Sequence, residues 1–354
     1  MSLLLCLETS CDDTSAAVVD TGAAPPGSAA AAGSAATAGA AGGPAVIRSS
    51  IVSSQHEFHA VFGGVVPEVA SRRHTELLAG AVADAFDEAG VTWDDLDGLA
   101  VTTGPGLIGA LLVGLAAAKA MAYARRLPLT PVDHLQGHLA AGYALGVEAP
   151  FVSLTASGGH TLLSVVEHGV EFRVVGRTLD DAAGEAFDKG ARLLGLGYPG
   201  GPALEKLARD GDPDAYQFPA GKKLPGLDFS FAGLKTALLY RIRDLGPDEA
   251  DRRRADLAAS YQRAIVESLG IRVERGLLET GLDRLSVGGG VAANGPVRER
   301  MASLGVDLHV PPRELCTDNA AMIASAARFT GALPYPDYLD LDVYATGERT
   351  LISR

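Results

Sequence analysis

The chain is short of several things, and each shortage narrows what it can be. It has three cysteines in 354 residues, Cys6, Cys11 and Cys316, with no C-x-x-C pair. An odd number without a paired spacing builds no disulfide framework and points to a reducing cytoplasm. Aromatic residues are 6% of the chain, so its cores must be aliphatic and rich in alanine. Positive charge is scarce: 30 Lys and Arg stand against 43 Asp and Glu, a net charge of -13. That argues against holding a nucleic acid on a broad basic surface of its own. It leaves local groups such as Arg72-Arg73, Arg125-Arg126 and Arg252-Arg253-Arg254. No uninterrupted apolar run reaches the length of a membrane span, so none is expected. The opening "MSLLLCLETSCDD" lacks the basic region and A-x-A site of a signal peptide. There is no G-x-x-x-x-G-K-[ST], no G-x-G-x-x-G opening the first helix, and no H-E-x-x-H. Their absence sets aside a P-loop protein, a Rossmann dehydrogenase and a zinc protease.

What is present reads as α/β. Hydrophobic content of 47% and the chain length predict two domains with large cores. "SLLLCLE" and "SAAVVD" read as strands joined by a polar turn, and "AVIRSSIVSSQ" as a third strand. Between them, residues 21–45 are low-complexity Ala, Gly and Pro, expected to be a flexible insertion in a hairpin loop. Residues 67–89 predict an amphipathic helix, with Val69, Leu77, Leu78, Val82 and Phe86 on one face. After Pro150 the pattern restarts as strand, glycine turn, strand and strand. Helices are expected near 182–195, 201–210 and 251–279, and a final one in "TDNAAMIASAARFTG" with Thr317 or Asp318 as its cap.

An internal repeat bears on the architecture. "LCLETSCDDTSAAVVD" (5–20) aligns with "VSLTASGGHTLLSVVE" (152–167), setting Leu5 on Val152, Ser10 on Ser157 and Thr14 on Thr161. Each copy opens a β-β-β-α series, and backbone amides in such small-residue turns can cradle anionic oxygens. This resembles the actin, sugar kinase and heat-shock ATPase superfamily. The resemblance implies a duplicated actin-like α/β fold, two domains around a nucleotide cleft. The expected bounds are 1–133 for the first domain, 134–150 for a metal-site helix and connection, 151–312 for the second domain, and 313–354 for a segment returning to the first.

Two histidines stand out. "VDHLQGHLAAG" spaces His134 and His138 four apart, which puts both rings on one helical face, where they can share a metal. The same spacing also suits two ordinary polar or capping residues. Asp318 in "ELCTDNAAM" is the acidic residue that would complete a two-His, one-carboxylate set with open positions. Its other reading is a helix N-cap. "SGGH" (157–160) and "GGGVAAN" (288–294) follow apolar strands, and each reads as a ligand-approach turn or an ordinary tight turn. Asp188 beside Lys189 reads as a ribose contact or an exposed charge pair.

Taken together, "ETSCDDT", "HEFHAVFGGVVPEVASRRH", "TTGPGLIGALLVG", "DHLQGHL", "SGGHT", "DDAAGEAFDKGARLLGLGYPGGP", "FSFAGLKTA", "GGVAAN" and "LCTDNAAMIA" resemble, in order and almost end to end, the bacterial-type tRNA N6-adenosine threonylcarbamoyltransferases. The insertion at 21–45 lies outside the match, and Gln136, Ala156 and Gly288 depart from the usual pattern. The resemblance implies transfer of a threonylcarbamoyl group from L-threonylcarbamoyl adenylate to the exocyclic amine of adenosine 37, in tRNAs reading codons that start with A, with release of AMP. It implies one divalent metal ion per subunit on His134, His138 and Asp318, iron(II) ahead of zinc. It further implies a substrate loop at Thr155, Ala156, Ser157, Gly158 and Gly159, and a ribose and adenine end at Asp188, Gly201 and Asn294. Asp12 would face the metal and phosphate region, and Glu185 would be a further contact. Ser157, Gly158 and Gly159 with Asp12 make the expected catalytic set. Implied partners are tRNA, a paralogous inert subunit of the same fold and a small ATPase, with no membrane. The helix at "PEVASRRHTELL" offers a docking face, or packs within its own domain. The rival readings are a small-molecule kinase of the same superfamily, which the histidine pair disfavours, and a non-catalytic dimerisation subunit, which would lack the metal triad.

Overall fold

The computed structural model describes residues 2–22, 45–221 and 224–345. Most of the low-complexity insertion expected at 21–45 lies outside the described residues. The chain divides into two compact units: one is Met1–Gly146 with the described chain from Asp318 onward, the other Val147–Thr317.

The first unit is built on a five-stranded mixed sheet in the order β3-β2-β1-β4-β5. Its strands are β1 (Leu3–Glu8), β2 (Asp13–Asp20), β3 (Val46–Ser54), β4 (Gly98–Gly104) and β5 (Leu129–Asp133). Its helices are α1 (His56–Ala60), α2 (Pro67–Ala89), α3 (Ile108–Arg125), α4 (His134–Ala144) and, from the end of the chain, α11 (Ala320–Ala327). β1 and β4 are buried almost throughout, so they read as near-continuous apolar runs rather than as alternation. Pro67 sits in the first turn of α2, and Gly90 ends it in the left-handed conformation. The buried stripe of α2 runs through Ala70, His74, Leu78, Ala81, Val82, Ala85 and Phe86. Val69 and Leu77, expected on that stripe, are only half-buried because the stripe is set one position on, by Ala70 and His74. Among the described helices, α3 has the length and composition of a bilayer span, which a search for unbroken apolar runs misses. Its Ala110, Leu111, Leu115, Ala118 and Ala122 are buried, and Leu115, Ala118 and Ala122 join the apolar core of this unit.

The second unit repeats the plan, with a five-stranded sheet in the order β10-β9-β6-β7-β8. Its strands are β6 (Phe151–Ala156), β7 (Thr161–His168), β8 (Glu171–Arg177), β9 (Arg284–Gly288) and β10 (Asp307–His309). Its helices are α5 (Ala183–Leu193), α6 (Gly200–Ala208), α7 (Ala232–Leu245), α8 (Pro247–Arg252), α9 (Arg254–Thr280) and α10 (Gly295–Ala302). The duplication holds to the residue. Leu5 pairs with Val18 and Leu7 with Ala16. Their aligned counterparts pair in the same way, Val152 with Val165 and Leu154 with Leu163. The parallel neighbour is matched too, Leu5 on Leu99 and Val152 on Leu285. The duplicated α/β fold read from the repeat is therefore the fold of the chain. The second core gathers Leu154, Leu163, Phe187, Phe229, Tyr261, Ile265 and Leu269 around α9. Each such side chain contributes roughly 2–3 kcal/mol on burial.

Candidate metal centre and substrate turns

The metal candidates lie within the first unit, His134 and His138 on α4 and Asp318 in the bend just before α11. α4 starts at His134, and its cap is Asp133, whose Oδ1 accepts the amides of Leu135 at 2.8 Å and Gln136 at 3.1 Å. Four residues on, His138 lies one turn along the same face, and the two rings stand edge to face with centroids 4.7 Å apart. Gly137 between them has a steric purpose. A Cβ there would lie 2.9 Å from Ile323 Cδ1 and 3.3 Å from Met322 Cγ. Without one, α11 packs close against α4 and brings Asp318 up to the imidazoles.

Asp318 Oδ1 is 3.2 Å from His138 Nε2 and 3.6 Å from His134 Nε2. One donor atom from each of the three residues lies within 4.8 Å of the others. Bonds of about 2.0–2.2 Å to a shared ion put neighbouring donors about 2.8–3.6 Å apart, from right-angle to tetrahedral geometry. Both histidines are buried, and Nε2 of His138 makes no hydrogen bond. An unused nitrogen in a buried position is costly unless something takes its lone pair or proton. Two imidazoles and a carboxylate with open positions fit a divalent transition metal such as iron(II) or zinc.

The N-cap reading of Asp318 does not hold. Asn319 caps α11 instead, its Oδ1 accepting Met322 N at 2.9 Å. The cap falls one residue later than expected because the helix begins only at Ala320.

Sequence reasoning missed the groups behind the imidazoles. Glu8, fully buried at the end of β1, sets Oε2 3.3 Å from His134 Nδ1. Ser10 Oγ lies 3.1 Å from the same nitrogen, and Thr102 donates its hydroxyl to Glu8. Engaging Nδ1 aims Nε2 at Asp318, and such partners orient a ligand and raise its basicity. Burial disfavours a charge on His134, but Asp318 and Glu8 outweigh it and push the imidazole up to about 9. Burial raises Glu8, yet His134 prevails and holds it below the ordinary carboxylate range. Asp13 is pushed up to about 6 by burial and then by Asp318 and Asp12. The region is thus rich in negative charge that a cation would offset. Asp12 is buried, and its Oδ2, 3.7 Å from His56 Nε2, accepts no hydrogen bond. The one available signal for Glu8 was an acidic residue closing an otherwise apolar strand.

The other predicted contacts lie in the second unit. Thr155 and Ala156 end β6, and the turn after it is closed by Ser157 N donating to His160 O and Gly184 N donating to Ser157 O. Gly158 and Gly159 have nothing within 4 Å of where a side chain would stand, so their backbone is open to approach. Asp188 Oδ1 accepts Gly200 N at 2.8 Å, which ties α5 to the start of α6, and Gly201 follows directly. Lys189 does not pair with Asp188. Its ammonium is 2.6 Å from Asp181 and 2.9 Å from Glu185, one helical turn back, where its side chain points. Asn294 caps α10 through Val297 N, and its amide donates to Glu205 and Gln262. α6 therefore links the Asp188 turn to the Asn294 turn.

Residues 46–325 match the sequence model of a family described as tRNA N6-adenosine threonylcarbamoyltransferase. A relative of that name from Symbiobacterium thermophilum is 48% identical over 347 residues, covering 96% of this chain and 95% of its own. One from Caldicellulosiruptor bescii is 44% identical over 333 residues, covering 92% of each. Among solved structures, component A of the Acidaminococcus fermentans (R)-2-hydroxyglutaryl-CoA dehydratase aligns with a TM-score of 0.53 at 14% identity, over 93% of this chain and 98% of that one. Full-length HypF aligns with a TM-score of 0.56 at 12% identity, over 93% of this chain and 46% of its own. At such identities the two structures share the fold alone.

Proposed function

The chain belongs to the tRNA N6-adenosine threonylcarbamoyltransferase family, and from that premise we propose how its residues divide the reaction. The donor is L-threonylcarbamoyl adenylate, a mixed anhydride that is already activated. The N6 amine of adenosine 37, in tRNAs reading codons that start with A, attacks the carbamoyl carbon. The bond from that carbon to the phosphate oxygen breaks, AMP leaves with the electron pair, and the amine gives up one proton. No covalent enzyme intermediate is needed.

His134, His138 and Asp318 would hold one divalent cation, iron(II) in preference to zinc, on a donor set that suits either. When bound, such a cation supplies Lewis-acid charge that stabilises developing negative charge on an oxygen. Glu8 and Ser10 hold the His134 ring by its far nitrogen. Asp12 joins the catalytic set from the turn that carries Ser10. The open backbone at Gly158 and Gly159, beside Ser157, supplies donors for the charge that builds during attack. Removing one such donor typically costs about 3 kcal/mol of barrier. Thr155 and Ala156 anchor that turn. Asp188 and Gly201 serve the ribose and adenine end, with Glu185 a further contact. Asn294 serves it by bracing α6 and α10, since its amide is already engaged. An anticodon loop presents its base without the cost of opening a duplex.

A net charge of -13 supports a chain that gains tRNA affinity from partners, a paralogous inert subunit and a small ATPase. The free cysteines Cys6, Cys11 and Cys316 fit work in the cytoplasm. The observation that carries the metal assignment is the meeting of three donor atoms around an unbonded, buried Nε2.

Reconstitution with tRNA, threonylcarbamoyl adenylate and the partner proteins tests it. AMP release should depend on tRNA, with modified adenosine found by nucleoside mass spectrometry, and His138→Ala should lower the rate at least a hundredfold. ADP release from ATP with a sugar acceptor, and none of the transfer, would favour the kinase reading instead.

A further inference from the structure

Beyond α11 the chain runs back over the first unit as a strap. Leu333 bridges to Leu129 of β5. Lys119 of α3 donates to the carbonyls of Leu339 and Leu341. Tyr344 N donates to Thr103 O at 3.0 Å. The tyrosine then meets the start of the histidine helix: its hydroxyl donates to Asp133 Oδ2. Asp133 Oδ1 is the cap of α4. Both oxygens of that carboxylate are therefore committed, one to the helix and one to the strap.

The place for the ring is cut into the end of β4. A Cβ on Gly104 would lie 2.4 Å from the Tyr344 carbonyl oxygen and 2.8 Å from its ring. Gly104 also has φ of 150°, a conformation that other residues rarely adopt. Only glycine allows the strap to lie there.

We propose that Tyr344 is a positioning residue for the metal centre, acting through Asp133 on the first turn of α4. This rests on the metal reading above. A capping carboxylate with one oxygen unclaimed can turn about its Cβ–Cγ bond, and the amides it holds move with it. His134 is the residue between that cap and those amides, so the direction of its Nε2 follows. The hydroxyl of Tyr344 reaches the metal helix through the cap. Partners behind a ligand typically change metal affinity by about 10–100-fold. Tyr344 stands one residue further back, so an effect near about tenfold is expected.

The test is cobalt(II) titration of the full chain, followed by calorimetry and by the visible d–d bands, for wild type, Tyr344→Phe, Asp133→Asn and the double variant. Asn keeps an acceptor for the helix cap. The proposal predicts that Tyr344→Phe keeps the wild-type urea midpoint, binds cobalt about tenfold more weakly and shifts the d–d bands. The double variant should bind no more weakly than the weaker single, since both changes cut one chain of contacts. Wild-type affinity and spectrum in Tyr344→Phe, or lost stability with an unchanged spectrum, overturns the proposal and leaves the metal reading standing. A wild-type chain that binds no cobalt overturns both.

Discussion

Asp318 and Asn319 are adjacent, similar in size and able to do one another's work at a helix start, yet the structure gives them different tasks. Asn319 takes the amide of Met322, while Asp318 turns toward His138 and His134. The sequence narrowed the choice to a ligand or a cap, but local pattern could not decide it, because the deciding partners lie far away along the chain. Glu8 was less legible still. Its acidic side chain closes an apolar strand, and its meaning appears only when His134 is placed beside it. The two residues predict opposite phenotypes. Asn319→Ala should cost about 1 kcal/mol in urea unfolding, the usual value of a cap, and leave metal affinity nearly intact. Asp318→Asn should abolish tight cobalt binding; in the metal-free protein it relieves the repulsion of Asp13 but also removes the carboxylate that favours the charged form of His134. The reverse pattern would return Asp318 to the role of cap.

Elements were more legible than single contacts. The two strand-turn-strand copies align by sequence, and the structure pairs aligned residues with aligned residues. The same strand-turn-strand pattern written twice carries that much information, since each copy closes the same kind of hairpin. Helix bounds and caps carried less: α11 begins past its expected caps, and the stripe of α2 keeps Leu78, Val82 and Phe86 but takes Ala70 and His74 where Val69 and Leu77 were expected. The hairpin between β2 and β3 makes a prediction about the insertion. Asp20 and Val46 are register partners, so a short turn spans them. Thr21 is tied to Ser2 and should be kept. Replacing residues 23–44 by Asn-Gly shortens the closed loop about fivefold, worth up to about 1.4 kcal/mol by loop-closure entropy. The urea midpoint should stay level or rise, with cobalt affinity unchanged. A fall in either would show that the insertion contributes contacts of its own.

At the scale of the whole molecule, the duplicated architecture, the acidic balance and the spacing of the two histidines were readable in advance. The grouping around the imidazoles was not, since Glu8, Ser10, Asp133 and Tyr344 come from three distant stretches of chain. Sequence patterns report neighbours at helical or strand spacing, whereas this cluster is assembled by topology. The chain must return to its first unit at Asp318 and α11 before that aspartate can meet the histidines. The metal centre therefore stands on one convergence. Its most direct test is an anomalous difference map, measured at the iron edge on crystals of the chain purified without oxygen and with iron(II). A single peak within about 2.0–2.3 Å of His134 Nε2, His138 Nε2 and Asp318 Oδ1 is predicted. A map in which those three atoms surround no peak, or in which the iron sits elsewhere, would contradict it.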